Sequence, residues 1–485
     1  SRETAPIYNT EMDADGVKMV HHNVETNGIG YATLMFDLSG IAEDKLPYVG
    51  ILQSVLGIID TTNYKYGALF NEINVHTGGI GTSLELYPDV TKVKEKEFRA
   101  TFEMKGKALY PKMDVLFSMM REILMESKLD DEKRLKEIIA MLRSRLQMSF
   151  LSSGHTTAAL RALSYTSPIA KFKDDTDGIG FYEVVKAIEE DFDGHKEELI
   201  RNLKEISAKI FRADNLMVSY TSAEQGLEPM LAAFGAVRDS LNDHSGTEAA
   251  AGLRTGEGVQ AGEGVHAGEG ARTGDLQAAA DVDPETACVI HCRKRNEGFK
   301  TSSKVQYVAR VGNFIDGGAE YTGALQILKV ILSYDYLWQN IRVKGGAYGC
   351  MSNFNRIGEG YLISYRDPNL EKTMEIYEGV VDYLENFNVD DRDMNKFIIG
   401  TISNIDRPMN PAAKGSRSMN LYMNHVTEEM IREEREQILT ADQSDIRALA
   451  GVLKAMLDAG LVCVIGSEEK IEECREMFGE VRTLS

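Results

Sequence analysis

The sequence predicts an α+β chain of two tandem homologous modules, each a mostly antiparallel sheet covered by helices. Three observations lead there. Segments with apolar residues at every second position, as half-buried strands require, are interspersed with segments of three- and four-residue apolar spacing, the period of a helix face. The order of these segments repeats after a sharp change of composition near residue 245. Finally, 485 residues with 43% hydrophobic content can bury two sizeable cores.

The first module is placed at residues 1–240. Alternation on both sides of Asn27-Gly28 predicts a hairpin of residues 18–22 against 31–36. Pro47 opens a helix reaching Leu56. The turn Thr77-Gly78-Gly79-Ile80 leads into a strand marked by Thr82, Leu84 and Leu86, and residues 98–105 read as another. Helices follow at 112–127 and 131–150, the second capped by Asp130 or Asp131. Further helices are expected at 157–165, 180–190 and 194–211, and a strand at 216–221 closes the module.

Residues 241–284 break the pattern. Gly-Glu-Gly recurs at 256, 262 and 268, with no aromatic residue from 245 to 283. Such a Gly/Glu/Ala stretch buries too little apolar area to offset its ordering entropy, so a flexible insert is expected.

The second module, 285–485, repeats the order. Strands at 287–292 and 303–310 precede a helix whose buried face is Leu325, Leu328, Leu332, Tyr336 and Ile341. Leu69 and Ile73 before Gly78-Gly79 parallel Leu337 and Ile341 before Gly345-Gly346. A hairpin at 347–366 turns at 355–358. Helices at 371–387, 390–405, 412–424, 428–439 and 444–459 precede a closing strand at 461–465.

Composition narrows function. Fifty-four basic against 75 acidic residues give a formal charge of −21, which disfavours nucleic acid and suits basic peptides. Five widely spaced cysteines, an odd number, argue for a reducing compartment such as a bacterial cytoplasm or an organelle matrix. No apolar run approaches the roughly 20 residues that span a bilayer, so no membrane partner is expected. The opening Ser1-Arg2-Glu3 shows neither signal peptide nor initiator Met, as a fragment of a longer protein would.

The stretch from Leu337 to Gly349 holds the candidate site. Gly345 and Gly346 permit the positive φ of a helix end or tight turn. Arg342 and Tyr348, six residues apart, can together grip a carbonyl or a carboxylate. The same spacing fits an Arg that complements a helix dipole and a Tyr that is an ordinary strand residue.

Metal chemistry is disfavoured. The nine histidines, at 21, 22, 76, 155, 195, 244, 266, 291 and 425, include no pair four apart, so H-x-x-E-H is absent. The two helices that would carry it read Ile51-Leu52-Gln53-Ser54-Val55-Leu56 and Leu325-Gln326-Ile327-Leu328-Lys329. Cys288-x-x-His291-Cys292, read as a strand, holds its thiols about 13 Å apart, too far to share one ion. His155, at a helix start, suits a cap or the core. No phosphate loop or nucleophile elbow is present.

Arg342 followed by Gly345-Gly346-Ala347-Tyr348-Gly349 after an apolar helix resembles the C-terminal half of pitrilysin-type metalloproteases (inverzincins), in the presequence-protease branch. Further stretches agree in the same order: His21-His22-Asn23 through Thr26-Asn27-Gly28-Ile29, Thr61-Thr62-Asn63-Tyr64, Thr77-Gly78-Gly79-Ile80 and Gly154-His155. The resemblance covers nearly the whole chain apart from the Gly-Glu-Gly stretch. It implies the pitrilysin/LuxS-like fold and one half of a clamshell that degrades unfolded peptides. Zinc, its ligands and the general base would lie in an N-terminal half, in the same polypeptide or a separate subunit. This chain would supply Arg342 and Tyr348 to stabilise the substrate carbonyl and oxyanion, with Gly345, Gly346 and Ala347 against the substrate. Alone it would be inactive. The alternative is an inactive structural or peptide-binding module of the same fold.

Overall fold

The computed structural model describes residues 1–244, 271–272 and 288–484. Strands β1 (Thr10–Ala14), β2 (Val17–Asn23), β3 (Ile29–Asp37), β4 (Ile80–Pro88), β5 (Phe98–Leu109) and β6 (Leu216–Ser222) form one six-stranded sheet, in the order β1-β2-β6-β3-β5-β4. Among the described residues, β7 (Ala271–Arg272) and β8 (Val289–Ile290) pair only with each other. β9 (Glu297–Thr301), β10 (Tyr307–Asn313), β11 (Gly349–Phe354), β12 (Glu359–Tyr365), β13 (Leu461–Ser467) and β14 (Glu480–Thr483) form a second six-stranded sheet, in the order β11-β12-β10-β13-β9-β14.

The helices of the first module are α1 (Leu46–Val55), α2 (Tyr66–His76), α3 (Met113–Glu126), α4 (Glu132–Ser152), α5 (Gly154–Leu163), α6 (Pro168–Asp177), α7 (Ile179–Glu190), α8 (Phe192–Ile210) and α9 (Leu227–His244). Those of the second are α10 (Ala324–Tyr334), α11 (Glu371–Glu378), α12 (Val380–Glu385), α13 (Asp391–Ile405), α14 (Pro411–Met423), α15 (Glu428–Thr440), α16 (Gln443–Asp458) and α17 (Glu468–Glu473). Asp131 caps α4, its carboxylate accepting from the Arg134 N–H at 3.1 Å. α9 runs past the boundary expected at 240. Apart from residues 241–244 and 271–272, the expected insert lies outside the described residues. No helix among the described residues is long and apolar enough to cross a membrane.

The repeat expected from element order is a shared topology. Counted from one edge, the sheets run β4-β5-β3-β6-β2 and β11-β12-β10-β13-β9, with equivalent strands in equivalent places. Each contains the same parallel pair, β6 on β2 and β13 on β9. Only the far edges differ, β1 being antiparallel to its neighbour and β14 parallel.

Two expectations about the strands fail, one of pairing and one of extent. Asn27 and Gly28 do take left-handed φ, 52° and 83°, and the Ile29 N–H donates to the Thr26 carbonyl at 3.3 Å, so the turn forms. Its flanking strands are nevertheless not partners, because β6 lies between β2 and β3. Alternation tells which face a residue takes, not which strand it pairs with, and β6, buried along its whole length, takes the central place. The strand expected at 287–292 is reduced to Val289–Ile290 outside the main sheet; its place beside β13 belongs to β9, whose only large apolar residue is Phe299.

Each sheet carries its own helices on one face and a helix of the other module on the second. α5 packs on β10, β12 and β13, while α14 packs on β2 and β6. The contacts are close. A Cβ on Gly154 would stand 2.3 Å from the Tyr307 ring, and one on Gly415 would stand 1.9 Å from Thr221 Oγ1. Met419 and Met423 of α14 complete a small core with Val20, Met35, Tyr87 and Met217. Beneath α5, Tyr307, Ala309, Ile363 and Cys463 join the first module's core. Thus the two modules share buried surface on both sides.

Candidate functional site

The site begins where α10 ends. Leu325, Leu328 and Leu332 are fully buried, as their spacing predicts, while Tyr336 is half-buried. The chain then forms a π-helix, Trp338–Val343, rather than the α-helical end expected at Arg342. Its wider turn is anchored by Leu337 and Ile341, both in the core. The Lys344 N–H donates to the Gln339 carbonyl at 3.0 Å, and the Gly346 N–H to the Arg342 carbonyl at 2.9 Å.

Both glycines are needed. A Cβ at Gly345 would stand 2.6 Å from the Ile341 carbonyl oxygen, and Gly346 has φ +82°. Ala347 turns into the core, and the Tyr348 N–H donates to the Tyr365 carbonyl at 3.0 Å, starting the β11–β12 hairpin. Among the described residues β11 is an edge strand, so its outer backbone faces no other strand of this sheet.

This turn brings Arg342 and Tyr348 together. The Arg342 guanidinium lies 4.4 Å from the centre of the Trp338 ring and 5.7 Å from that of Tyr348. Arg342 is exposed and pairs with no carboxylate among the described residues, and Tyr348 is 65% exposed. A guanidinium held against aromatic faces keeps its N–H edges for a ligand. Gly345 and Gly346 border the pair; Ala347 is buried and offers its surroundings only backbone.

Sequence reasoning missed the surrounding rings. Trp338 stands four residues before Arg342, a spacing that marks a shared helical face. Tyr365 lies opposite Gly349 in the hairpin register, its ring 5.7 Å from Tyr348. His155 of α5 stacks edge-on against Tyr365 at 4.8 Å, with its Nδ1 buried and without a hydrogen-bond partner among the described residues. Burial lowers its pKa below the ordinary value. The fold thus puts His155 in an aromatic cluster beside the turn.

The first module repeats the scaffold without the chemistry. Leu69 and Ile73 are buried like Leu337 and Ile341, and Gly79 has φ +110°. Counted from the glycine pair, Val75 and Gly81 occupy the places of Arg342 and Tyr348. In both modules the helix where the resemblance would place a zinc motif turns a Gln to the edge strand. Gln53 donates to the Thr82 carbonyl at 3.0 Å, and Gln326 to the Phe354 carbonyl at 3.3 Å. These side chains do not fit a zinc ion. Among the described residues no cluster of His, Cys, Asp and Glu could hold a metal. His291 of the Cys-His-Cys stretch instead places Nδ1 2.8 Å from the Glu43 carboxylate, outside any long strand.

Known proteins resemble the chain over both modules. A family model for the region associated with subfamily C of the M16 peptidases matches residues 1–188, and one described as "PreP C-terminal domain" matches residues 296–468. Protein HypA of Clostridium perfringens is 33% identical over 483 residues, covering 100% of this chain and 45% of that protein. Presequence protease 1, chloroplastic/mitochondrial, of Arabidopsis thaliana is 28% identical over 475 residues, covering 97% and 40%. The chain therefore spans less than half the length of these curated relatives. Among solved structures, the peptidase M16 inactive domain from Pseudomonas fluorescens aligns with TM-score 0.59 at 13% identity, covering 95% of this chain and 98% of that one. The periplasmic protease PqqL from Escherichia coli aligns with TM-score 0.54 at 11% identity, covering 96% and 46%. With both modules matched in order, the chain belongs to the pitrilysin-type peptidase family, as a presequence-protease-like C-terminal half.

Proposed function

We propose that this chain is the non-zinc-binding half of a metalloendopeptidase that degrades unfolded peptides in an enclosed chamber. Arg342 and Tyr348 stabilise the substrate carbonyl and the oxyanion formed from it, at a zinc site supplied by an N-terminal half. One observation carries the reading: the Arg342 guanidinium lies against two rings at an exposed turn, with no carboxylate partner and beside a strand edge that is unpaired, among the described residues. A preorganised donor of this kind contributes a few kcal/mol to transition-state stability. Gly345 and Gly346 let a peptide backbone approach, with Ala347 between them and Tyr348. The formal charge of −21 favours basic peptides. The five unpaired cysteines suit a reducing compartment, a bacterial cytoplasm or an organelle matrix.

A second reading is an inactive structural or peptide-binding module, favoured by the likeness to the peptidase M16 inactive domain from Pseudomonas fluorescens. The two are separated by measuring zinc content and hydrolysis of an unstructured basic peptide, for this chain alone and joined to a zinc-bearing N-terminal half. The half-enzyme reading expects zinc and hydrolysis only in the joined protein. There, Arg342→Ala and Tyr348→Phe each lower kcat by about 100-fold with zinc retained. Inactivity of the joined protein supports the inactive module, and zinc-dependent hydrolysis by the chain alone overturns both.

A further inference from the structure

The rings at the Arg342 turn extend beyond the pair that addresses the scissile carbonyl. Trp338 is 38% exposed and Met351, on the outward face of β11, is 36% exposed. From Trp338 the surface passes across the Arg342 guanidinium to Tyr348, then to Tyr365, over which the Arg366 guanidinium lies at 5.3 Å. Among the described residues neither arginine is ion-paired with a carboxylate. The Arg342 and Arg366 guanidinium groups thus lie against successive rings of one run of ring contacts, which begins beside an edge of β11 that is unpaired among the described residues.

That combination has a matching ligand. Guanidinium takes a carboxylate through two parallel N–H donors, and ring faces take aromatic or large apolar side chains. Peptide hydrolysis makes such a group: water adds across the C–N bond, leaving an amine on one fragment and a carboxylate, beside its own side chain, on the other. We propose that Trp338, Arg342, Tyr348, Tyr365 and Arg366 form a subsite for a peptide segment ending in an aromatic or large apolar residue with a free carboxylate. Within it Trp338 is the positioning residue that fixes the Arg342 guanidinium. The inference rests on Arg342 and Tyr348 being the substrate-facing pair. Leu337 and Ile341 tie the backbone of the turn to the core, but the Arg342 side chain beyond Cβ is held by ring contacts. Removing the indole frees those rotors, which then have to be fixed again on binding.

Trp338 is the only tryptophan in the chain, so its fluorescence reports occupancy without a zinc-bearing half. The chain is titrated with a short unstructured peptide ending in Phe with a free carboxylate, with its amidated form, and with its Phe→Ala form. Calorimetry repeats the titration for Trp338→Phe, Trp338→Leu and Arg342→Ala, each checked for folding by circular dichroism. The free acid is expected to bind and shift the emission, with amidation and Phe→Ala each weakening binding about tenfold. Trp338→Leu weakens it about five- to tenfold, and Trp338→Phe restores it. Equal affinity for acid and amide, or wild-type affinity in folded Trp338→Leu, overturns the subsite. If Arg342→Ala changes neither this binding nor hydrolysis by the joined protein, the underlying reading fails too; if it abolishes hydrolysis while Trp338→Leu binds normally, only the subsite falls.

Discussion

His22 shows how a residue in a family-like stretch can be wholly structural. It is fully buried on β2, with Nδ1 2.6 Å from the Tyr8 carbonyl and Nε2 2.9 Å from Ser219 Oγ. A carbonyl only accepts, so Nδ1 carries the hydrogen and Nε2 accepts from the serine; the ring is neutral. Burial pushes its pKa down to about 4. The folded value lies below the unfolded one of about 6.5, so between the two the native state binds fewer protons than the unfolded chain. Its stabilisation is complete above pH ~6.5 and is lost toward pH ~4, on the order of 3 kcal/mol in all. Urea unfolding at pH 7 and pH 4.5 should show a smaller loss of stability in His22→Gln than in wild type. An equal loss would mean that other groups set the acid limit.

At the scale of elements, α5 and α14 each pack on the other module's sheet, and each depends on a glycine. Gly154 meets the buried Tyr307 ring, and Gly415 meets both Oγ1 and Cβ of Thr221. In neither case is the neighbour the far end of a flexible side chain, so the helix must lift. Gly154→Ala and Gly415→Ala should each cost about 1–3 kcal/mol in urea denaturation. The sites lie in separate interfaces, so the double variant should be nearly additive. Single costs below about 0.5 kcal/mol would show that the helices ride loosely on the sheets.

Across the whole molecule, one buried cluster ties the modules together. Arg161 of α5 donates to both Glu297 carboxylate oxygens, at 2.7 and 3.1 Å, and to Asp174 Oδ2 at 2.6 Å. Tyr165 donates to Glu297 Oε1 at 2.9 Å, and Arg482 of β14 to Oε2 at 3.2 Å. Burial alone would raise the Glu297 pKa; its hydrogen bonds and charge pairing with Arg161 more than offset this and hold it below the ordinary value. Glu297 begins β9, so the cluster joins a first-module helix to the second sheet. Arg161→Met should cost about 3–5 kcal/mol, because two carboxylates lose their buried cation. Adding Glu297→Gln should recover part of that loss in thermal unfolding. A double variant no more stable than the single would show that uncompensated charge is not the cause.

Much of this protein was legible in the residues themselves. Period-two and helical apolar spacing located most elements, Asp131 marked its cap, and the Gly345-Gly346 turn with Arg342 and Tyr348 stood out as the candidate site. These are local properties, set by which face of an element is buried and where backbone needs positive φ. What tertiary structure alone decided is non-local. β6 separates the strands on either side of Asn27-Gly28, β9 takes its place with little apolar signal, and α5 and α14 each cross to the other module's sheet. At the site, Tyr365 and His155 come from separate elements, and only folding brings Tyr365 to Tyr348 and His155 to Tyr365. Periodicity fixes the face a side chain takes, but its partner depends on packing between segments far apart in the chain.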